Sequence, residues 1–370
     1  MEVAVESGAG QGVPIYDPAY VDAGATVVPD PVALYESADI VLKVEPPIMN
    51  DAAGRHEADL MRQGALLIGF LRPSGDVDLV KKLADNWISS FSMDAIPRTA
   101  RAQSMDALTS MASIAGYKAA LIAANALGGF VPMMITAAGT LAPAKGLVIG
   151  AGVAGLQAIA TARRMGAVIY GYDVRPAVGE QVRSLGANFI EPQVVVAEAE
   201  HASGYAKRLS AQTQQRERDI VHEHVAEVDF VITTAAVPGR PAPTIVTEAM
   251  VKDMRPGAVI VDIAAETGGN CELTRPGEVV VAYGVAIHGP LGLPSSMPVH
   301  ASRMYSRNIS NFLLHLVSNG VFEPDFDDDI TMASCVTHDG QVVGVPAEGL
   351  GRSIPRGSYV KAEADRESSS

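Results

Sequence analysis

Cysteine is almost missing from this chain: Cys271 and Cys335 are the only two in 370 residues. Two thiols cannot build a disulfide framework, and their scarcity points to a reducing compartment. Positive charge is also short, with a formal net charge of −14. That balance argues against nucleic acid or an anionic membrane surface as a partner. Aromatic residues make up only 5% of a chain that is 48% hydrophobic, so Ala, Val, Gly and Ile carry the apolar content. Such a composition suits parallel strands covered on both faces. The opening Met1-Glu-Val-Ala-Val-Glu has neither the basic flank nor the apolar core of a signal peptide. The longest apolar stretch, Ala112 to Ile135, is interrupted by Gly116, Lys118, Asn125, Gly128, Gly129 and Pro132, so no membrane span is expected. No metal site is expected either. The length suggests two domains of ordinary size.

What is present centres on Lys145 to Arg175, KGLVIGAGVAGLQAIATARRMGAVIYGYDVR. A short apolar run, Gly146 to Ile149, enters the turn Gly150-Ala151-Gly152-Val153-Ala154-Gly155. A helix over roughly Gly152 to Met165 follows, then a second apolar run from Ala167 to Tyr172, ending at Asp173. Strand, glycine turn, helix, strand and acid is the context a dinucleotide fingerprint requires, and Asp173 stands 23 residues beyond Gly150. Gly150 permits the sharp turn, Gly152 lets backbone approach a diphosphate, and Gly155 lets the helix lie close on the strand. The helix N-terminus then faces the diphosphate. A carboxylate at Asp173 can accept ribose hydroxyls and repel a 2′-phosphate, although the neighbouring Arg175 softens that repulsion. The pattern reads as an NAD site.

Before this stretch, residues 1 to 95 read as an α/β half-domain, with strands at Val3–Val5, Thr26–Val28, Ile40–Val44, Ala65–Gly69 and Ile88–Met93. Lys43 ends one of these strands, a position that suits either a ligand crevice or a solvated edge. From about Ala100 the spacing predicts a helix on which Gln103, Asp106, Ser110, Ser113 and Tyr117 form a polar stripe beside Arg98 and Arg101. After Asp173, Glu191 to Glu227 turns polar, with His201, Gly204, Tyr205 and Lys207 at its centre, as in a helix plus a mobile flap. The runs Phe230-Val-Ile-Thr and Ala258-Val-Ile-Val-Asp are buried-type strands ending in small-residue loops. A helix over Ala301 to Val317 is expected to return to the first domain.

The stretches PRTARAQSMDALTSMASIAGY, GAGVAGLQAIATARRMGA, YDVRPAV, SGYAK, TTAAVPGRPAP, DIAAETGGNC and SCVTHDG together resemble one family. It is the soluble NAD(H)-binding component, the first domain of the alpha subunit, of proton-translocating nicotinamide nucleotide transhydrogenases, grouped with alanine dehydrogenase. The resemblance runs from near Val3 to about Val343. It implies an α/β fold of two Rossmann-like domains joined by long crossing helices, the N-terminal one lacking its first strand and helix. The implied domains are 1–118 with 303–346, and 119–302, with a flexible tail over 347–370. By the same resemblance Arg98, Gln103, Ser104, Met105, Asp106 and Thr109 hold the nicotinamide half. Gly150, Gly152, Val153 and Gly155 carry the diphosphate, and Asp173, Val174 and Arg175 surround the adenosine ribose. Gly204 and Tyr205 match a flap, and Ala236, Val237 and Pro238 a loop beneath the nicotinamide, with Glu266 near it. Thr109 stands where the family commonly has Ser, and Leu293-Pro-Ser-Ser296 has Ser where Arg is common.

The implied activity is hydride exchange between NADH held here and NADP(H) held by a partner subunit. No general acid or base is needed for it, so no catalytic side chain is assigned. Membrane-spanning subunits would couple the exchange to proton translocation. The chain itself would be a cytoplasmic homodimer without membrane insertion, bound peripherally through those partners. Two other readings stay open: an alanine-dehydrogenase-like NAD-dependent oxidoreductase acting alone, and an inactive or regulatory NAD-binding subunit.

Overall fold

The computed structural model describes residues 1–192, 211–236, 241–318, 320–343 and 353–354. The chain forms two compact units, Met1–Leu108 with Pro298–Ser370, and Thr109–Met297. In the first unit β1 (Ala4–Glu6) and β2 (Thr26–Val28) pair in parallel as a small sheet of their own. β3 (Ile40–Leu42), β4 (Leu66–Gly69) and β5 (Ser89–Ser92) run parallel in a larger sheet. β4 is apolar and buried throughout, as expected of a strand covered on both sides. Helix α1 (Val77–Asp85) begins where the Asp76 side chain accepts from Leu79 N at 2.9 Å. Such a cap contributes about 1 kcal/mol. Its face of Leu79, Val80 and Leu83 packs into the core with Leu67 and Ile88.

Helix α2 (Ala107–Ala126) corrects two expectations. It starts at Ala107, not near Ala100: residues 103–105 form a separate 3-10 turn, and Asp106, with ψ of 89°, breaks the helical path. Gln103 and Asp106 therefore do not share a helix face with Ser110, Ser113 and Tyr117. Neither Gly116 nor Lys118 interrupts α2, whose 20 residues are by length and composition alone enough to cross a membrane. Gly116 is needed for close packing, since a Cβ there would stand 2.0 Å from the Ala154 carbonyl oxygen. Ala119, Ala120 and Ala123 then pack into the core of the second unit.

That unit carries a hairpin of β6 (Met134–Thr136) and β7 (Gly139–Leu141), followed by β8 (Lys145–Ile149), α3 (Val153–Arg164) and β9 (Val168–Tyr172). Then come α4 (Gly179–Ser184), β10 (Asn188–Ile190), α5 (Ala211–Val225), β11 (Phe230–Thr233), α6 (Glu248–Asp253), β12 (Val259–Asp262), β13 (Val279–Ala282) and β14 (Val285–His288). The sheet order is β10-β9-β8-β11-β12-β14-β13, parallel except for β13 against β14. One face is covered by α2, α3 and α4 through Ala120, Ile159 and Val182, the other by α5 and α6 through Val221 and Val251. This arrangement is a Rossmann-type unit. Strand order reverses between β8 and β11, which places a ligand crevice at their carboxyl ends.

The chain then completes the first unit with α7 (Pro298–His315), α8 (Asp329–Ser334), β15 (Cys335–His338), β16 (Gln341–Val343) and β17 (Ser353–Ile354). The larger sheet becomes β17-β16-β15-β5-β4-β3, with β15 antiparallel to β5. Ser90 Oγ meets Thr337 Oγ1 at 2.6 Å, and Thr337 donates to Ile88 O at 2.7 Å, so the buried hydroxyls of β5 and β15 are satisfied. β17 falls within the stretch expected as a tail, the remainder of which lies outside the described residues.

Candidate functional site

The turn after β8 is built by backbone constraint. Gly150 has φ of +95°, a conformation that a side chain disfavours. Gly155, in the first turn of α3, approaches so closely that a Cβ would lie 1.8 Å from the Gly150 carbonyl oxygen. Gly152, the N-cap, is different: a Cβ there would meet no atom within 4 Å, and no side chain caps the helix. The first amide groups of α3 thus have no side-chain acceptor and a clear approach, the arrangement a diphosphate fits. Val153 follows at the first helical position, half-buried. Thr234, just beyond β11, ties the turn from the neighbouring strand: its Oγ1 donates to Gly150 O at 3.0 Å.

Asp173 follows β9 and is buried, 6% exposed. Its Oδ2 accepts from Ala151 N at 2.7 Å, so the carboxylate holds the glycine turn itself. Its Oδ1 accepts from Arg175 N and Nε, both at 2.9 Å, and Oδ2 also accepts from Arg175 Nη2 at 2.9 Å. Four donors fill the four lone-pair positions of the carboxylate. The carboxylate therefore does not stand open for ribose, as the sequence suggested. Ribose hydroxyls would take the places of the guanidinium, leaving the two backbone donors. Val174 packs against the core beside them. Behind β9, the Tyr172 hydroxyl donates to the Glu217 carboxylate of α5. Burial pushes the Tyr172 phenol well up, and the Glu217 carboxylate adds to the shift.

On the other side of the strand reversal, Asp262 ends β12 and is fully buried. Its Oδ1 accepts from Thr233 Oγ1 at 2.9 Å and Ala264 N at 3.1 Å. Its Oδ2 accepts from Asn270 N at 2.7 Å, Cys271 N at 2.9 Å and Thr274 Oγ1 at 2.7 Å. Burial pushes the Cys271 thiol up to about 11, which keeps it protonated and unreactive at neutral pH. Ala236 is exposed at the carboxyl end of β11. Glu266, also exposed, accepts from Gly292 N at 2.7 Å. Gly204, Tyr205, Val237 and Pro238 lie outside the described residues. Asp262, Thr234 and Asn270 escaped sequence reasoning; an acid closing an apolar strand run was the one available signal.

The first unit gathers Arg98, Gln103, Ser104, Met105 and Asp106 on and beside its 3-10 turn. Arg98, Gln103 and Ser104 are exposed, Asp106 is half-buried and Met105 is turned into the core. Asn308 and Asn311 of α7 hold the turn, each donating from Nδ2 to Ser104 O, at 2.9 and 3.2 Å. Thr109 sits on α2 within the second unit, its carbonyl accepting from Ser113 Oγ at 2.9 Å. Lys43 is committed elsewhere: its Nζ bonds Tyr35 OH at 2.9 Å and pairs with the Glu57 carboxylate.

Comparison with known proteins follows the same division. The family profile described as "Alanine dehydrogenase/PNT, C-terminal domain" matches residues 119–344, and the companion N-terminal domain profile matches residues 1–115. In Rhodospirillum rubrum the NAD(P) transhydrogenase alpha subunit is divided into separate polypeptides. The chain is 42% identical to the first of them over 95% of this chain and 92% of that protein. It is 44% identical to NAD(P) transhydrogenase subunit alpha of Cereibacter sphaeroides over 92% of this chain, but it spans only 65% of that longer protein. The crystal structure of transhydrogenase from Sinorhizobium meliloti superposes with a TM-score of 0.80 at 41% identity, covering 93% of this chain and 91% of the other.

Proposed function

This chain belongs to the alanine dehydrogenase/nicotinamide nucleotide transhydrogenase family, and from that premise we propose that it is the NAD(H)-binding component of an NAD(P) transhydrogenase. The observation that carries the reading is the glycine turn at Gly150–Gly155 held by the Asp173 carboxylate at a strand-order reversal. The nicotinamide of a bound dinucleotide supplies the hydride or accepts it. Gly152 and Val153 would present backbone to the diphosphate, and Asp173 and Val174 would receive the ribose once the Arg175 guanidinium swings aside. Arg98, Gln103, Ser104, Met105, Asp106, Thr109, Gly204, Tyr205, Ala236, Val237, Pro238 and Glu266 are assigned to the rest of the dinucleotide by family resemblance.

Hydride exchange demands a fixed ring distance and exclusion of water, not a proton donor, so no catalytic side chain is assigned here. NADP(H) is assigned to a partner subunit, because the chain carries a single glycine fingerprint. Proton translocation, peripheral attachment on the cytoplasmic side and a homodimer complete the proposal. The hairpin of β6 and β7, with Ile135 77% exposed beside exposed Phe130, Met133 and Leu141, offers an apolar surface for self-association. The ion pair of Lys43 with Glu57 speaks against an alanine-dehydrogenase-like reaction, which needs a free cation for a substrate carboxylate. The test adds the complementary subunits and follows reduction of an NADP analogue by NADH. Exchange that appears only with the partners is expected. Turnover of alanine or pyruvate by the chain alone would overturn the proposal.

A further inference from the structure

We infer that Asn270 is a positioning residue: it clasps Ala235 to Pro243 and so fixes the floor under the reactive half of the dinucleotide. Asn270 is fully buried, and every hydrogen-bonding group of its side chain is used on this one task. Its Oδ1 accepts from Ala235 N at 2.9 Å, and its Nδ2 donates to Ala235 O at 2.7 Å and to Pro243 O at 2.9 Å. Its backbone serves the same place. The Asn270 carbonyl accepts from Ile245 N at 2.8 Å and Val246 N at 2.9 Å, while its N–H is anchored on Asp262 Oδ2 at 2.7 Å.

The consequence lies in what adjoins Ala235. Thr234, its neighbour, holds the Gly150 carbonyl, so one chain of hydrogen bonds runs from the glycine turn through Ala235 and Asn270 to Asp262. In a sheet whose order reverses between β8 and β11, one half of a dinucleotide lies over β8 and β9 and the other over the ends of β11 and β12. Ala235 and Ala236 leave β11 at that second position. Gly268 and Gly269, both with positive φ, turn the chain after β12 so that Asn270 comes back beneath them. Pro243 has no N–H, so its ordering here depends on its carbonyl, which Asn270 takes. Loss of the clasp frees both ends of the segment without touching the turn that grips the diphosphate.

This inference rests on the NAD(H) reading above, and the test separates the two. Asn270→Ala and the milder Asn270→Ser, which keeps one donor, are checked by circular dichroism and melting, then titrated with NADH by nucleotide fluorescence and with ADP by calorimetry. The NADH Kd is expected to rise about tenfold with the ADP Kd unchanged, because only the nicotinamide half loses its floor. Equal loss for both ligands would mark a general structural role and overturn the inference, as would unchanged NADH affinity. Should Asn270→Ala not fold, Asn270→Ser carries the same comparison. In the unaltered protein, NADH should slow hydrogen exchange at the Ala235 amide and ADP should not; protection by both alike also counts against the clasp. Wild-type protein that binds neither ligand would sink the NAD(H) reading itself.

Discussion

The turn after β8 and the 3-10 turn at 103–105 are two ways of preparing a ligand edge. The first is made of backbone: glycines in close approach, a carboxylate holding the Ala151 amide, and Thr234 closing the other side. The second is made of exposed side chains on a turn steadied from α7 through Ser104 O. A backbone-built edge tolerates little change, because its geometry is also its packing. A side-chain edge can be altered with small cost to stability.

Substitutions should expose that contrast in order of size. Gly155→Ala forces a Cβ into the Gly150 carbonyl and should lower stability by about 3 kcal/mol while abolishing NADH binding, read by melting and fluorescence titration. A variant that binds NADH normally would break the contrast at once. Asp173→Asn removes the charge that Arg175 and Ala151 share and should cost about 2 kcal/mol. NADH affinity should fall with it, and the gap between NADH and NADPH should narrow.

Asp328→Ala should cost about 1 kcal/mol, since Asp328 caps α8 by accepting from Ile330 N at 2.9 Å and Thr331 N at 3.1 Å. Partial burial raises the Asp328 carboxyl, but the Thr331 amide, the Arg101 guanidinium, the Ile330 amide and His315 together bring it below the usual range. The folded carboxyl is thus the stronger acid. Its contribution is whole above about pH 4 and is lost as pH falls toward the lower folded value. The melting difference between wild type and Asp328→Ala should shrink on acidification through that window. The smallest effect belongs to Gln103→Ala, which should change stability by less than about 0.5 kcal/mol. Its hydride-transfer rate with the partner subunits should nonetheless fall, through loss of nicotinamide alignment.

The same contrast explains what was readable beforehand. Gly150, Gly155 and Asp173 could be read because each backbone requirement maps onto one residue type at one spacing. The strands through residue 95 and the β8–α3–β9 unit follow from apolar runs bounded by turns. The break at Asp106 could not be read, since spacings of three and seven look alike on a continuous helix and on a 3-10 turn leading into one. Asn270 and Asp262 were hidden for another reason: their partners at Ala235, Pro243 and Thr233 lie 27 to 35 residues away in sequence, except for the local ones. β15 was missed likewise, because its pairing with β5 joins Ser90 to Thr337 across 247 residues. Saturation of Asp173 by Arg175 depends on a rotamer, and no spacing encodes that.

The central claim is that the second unit holds one nicotinamide dinucleotide on its glycine turn and distinguishes it at the ribose through Asp173. Equilibrium titration of the chain with NADH and with NADPH, each followed by nucleotide fluorescence, tests this most directly. Saturable NADH binding with NADPH bound far more weakly is the expected result; equal affinity for the two would contradict it.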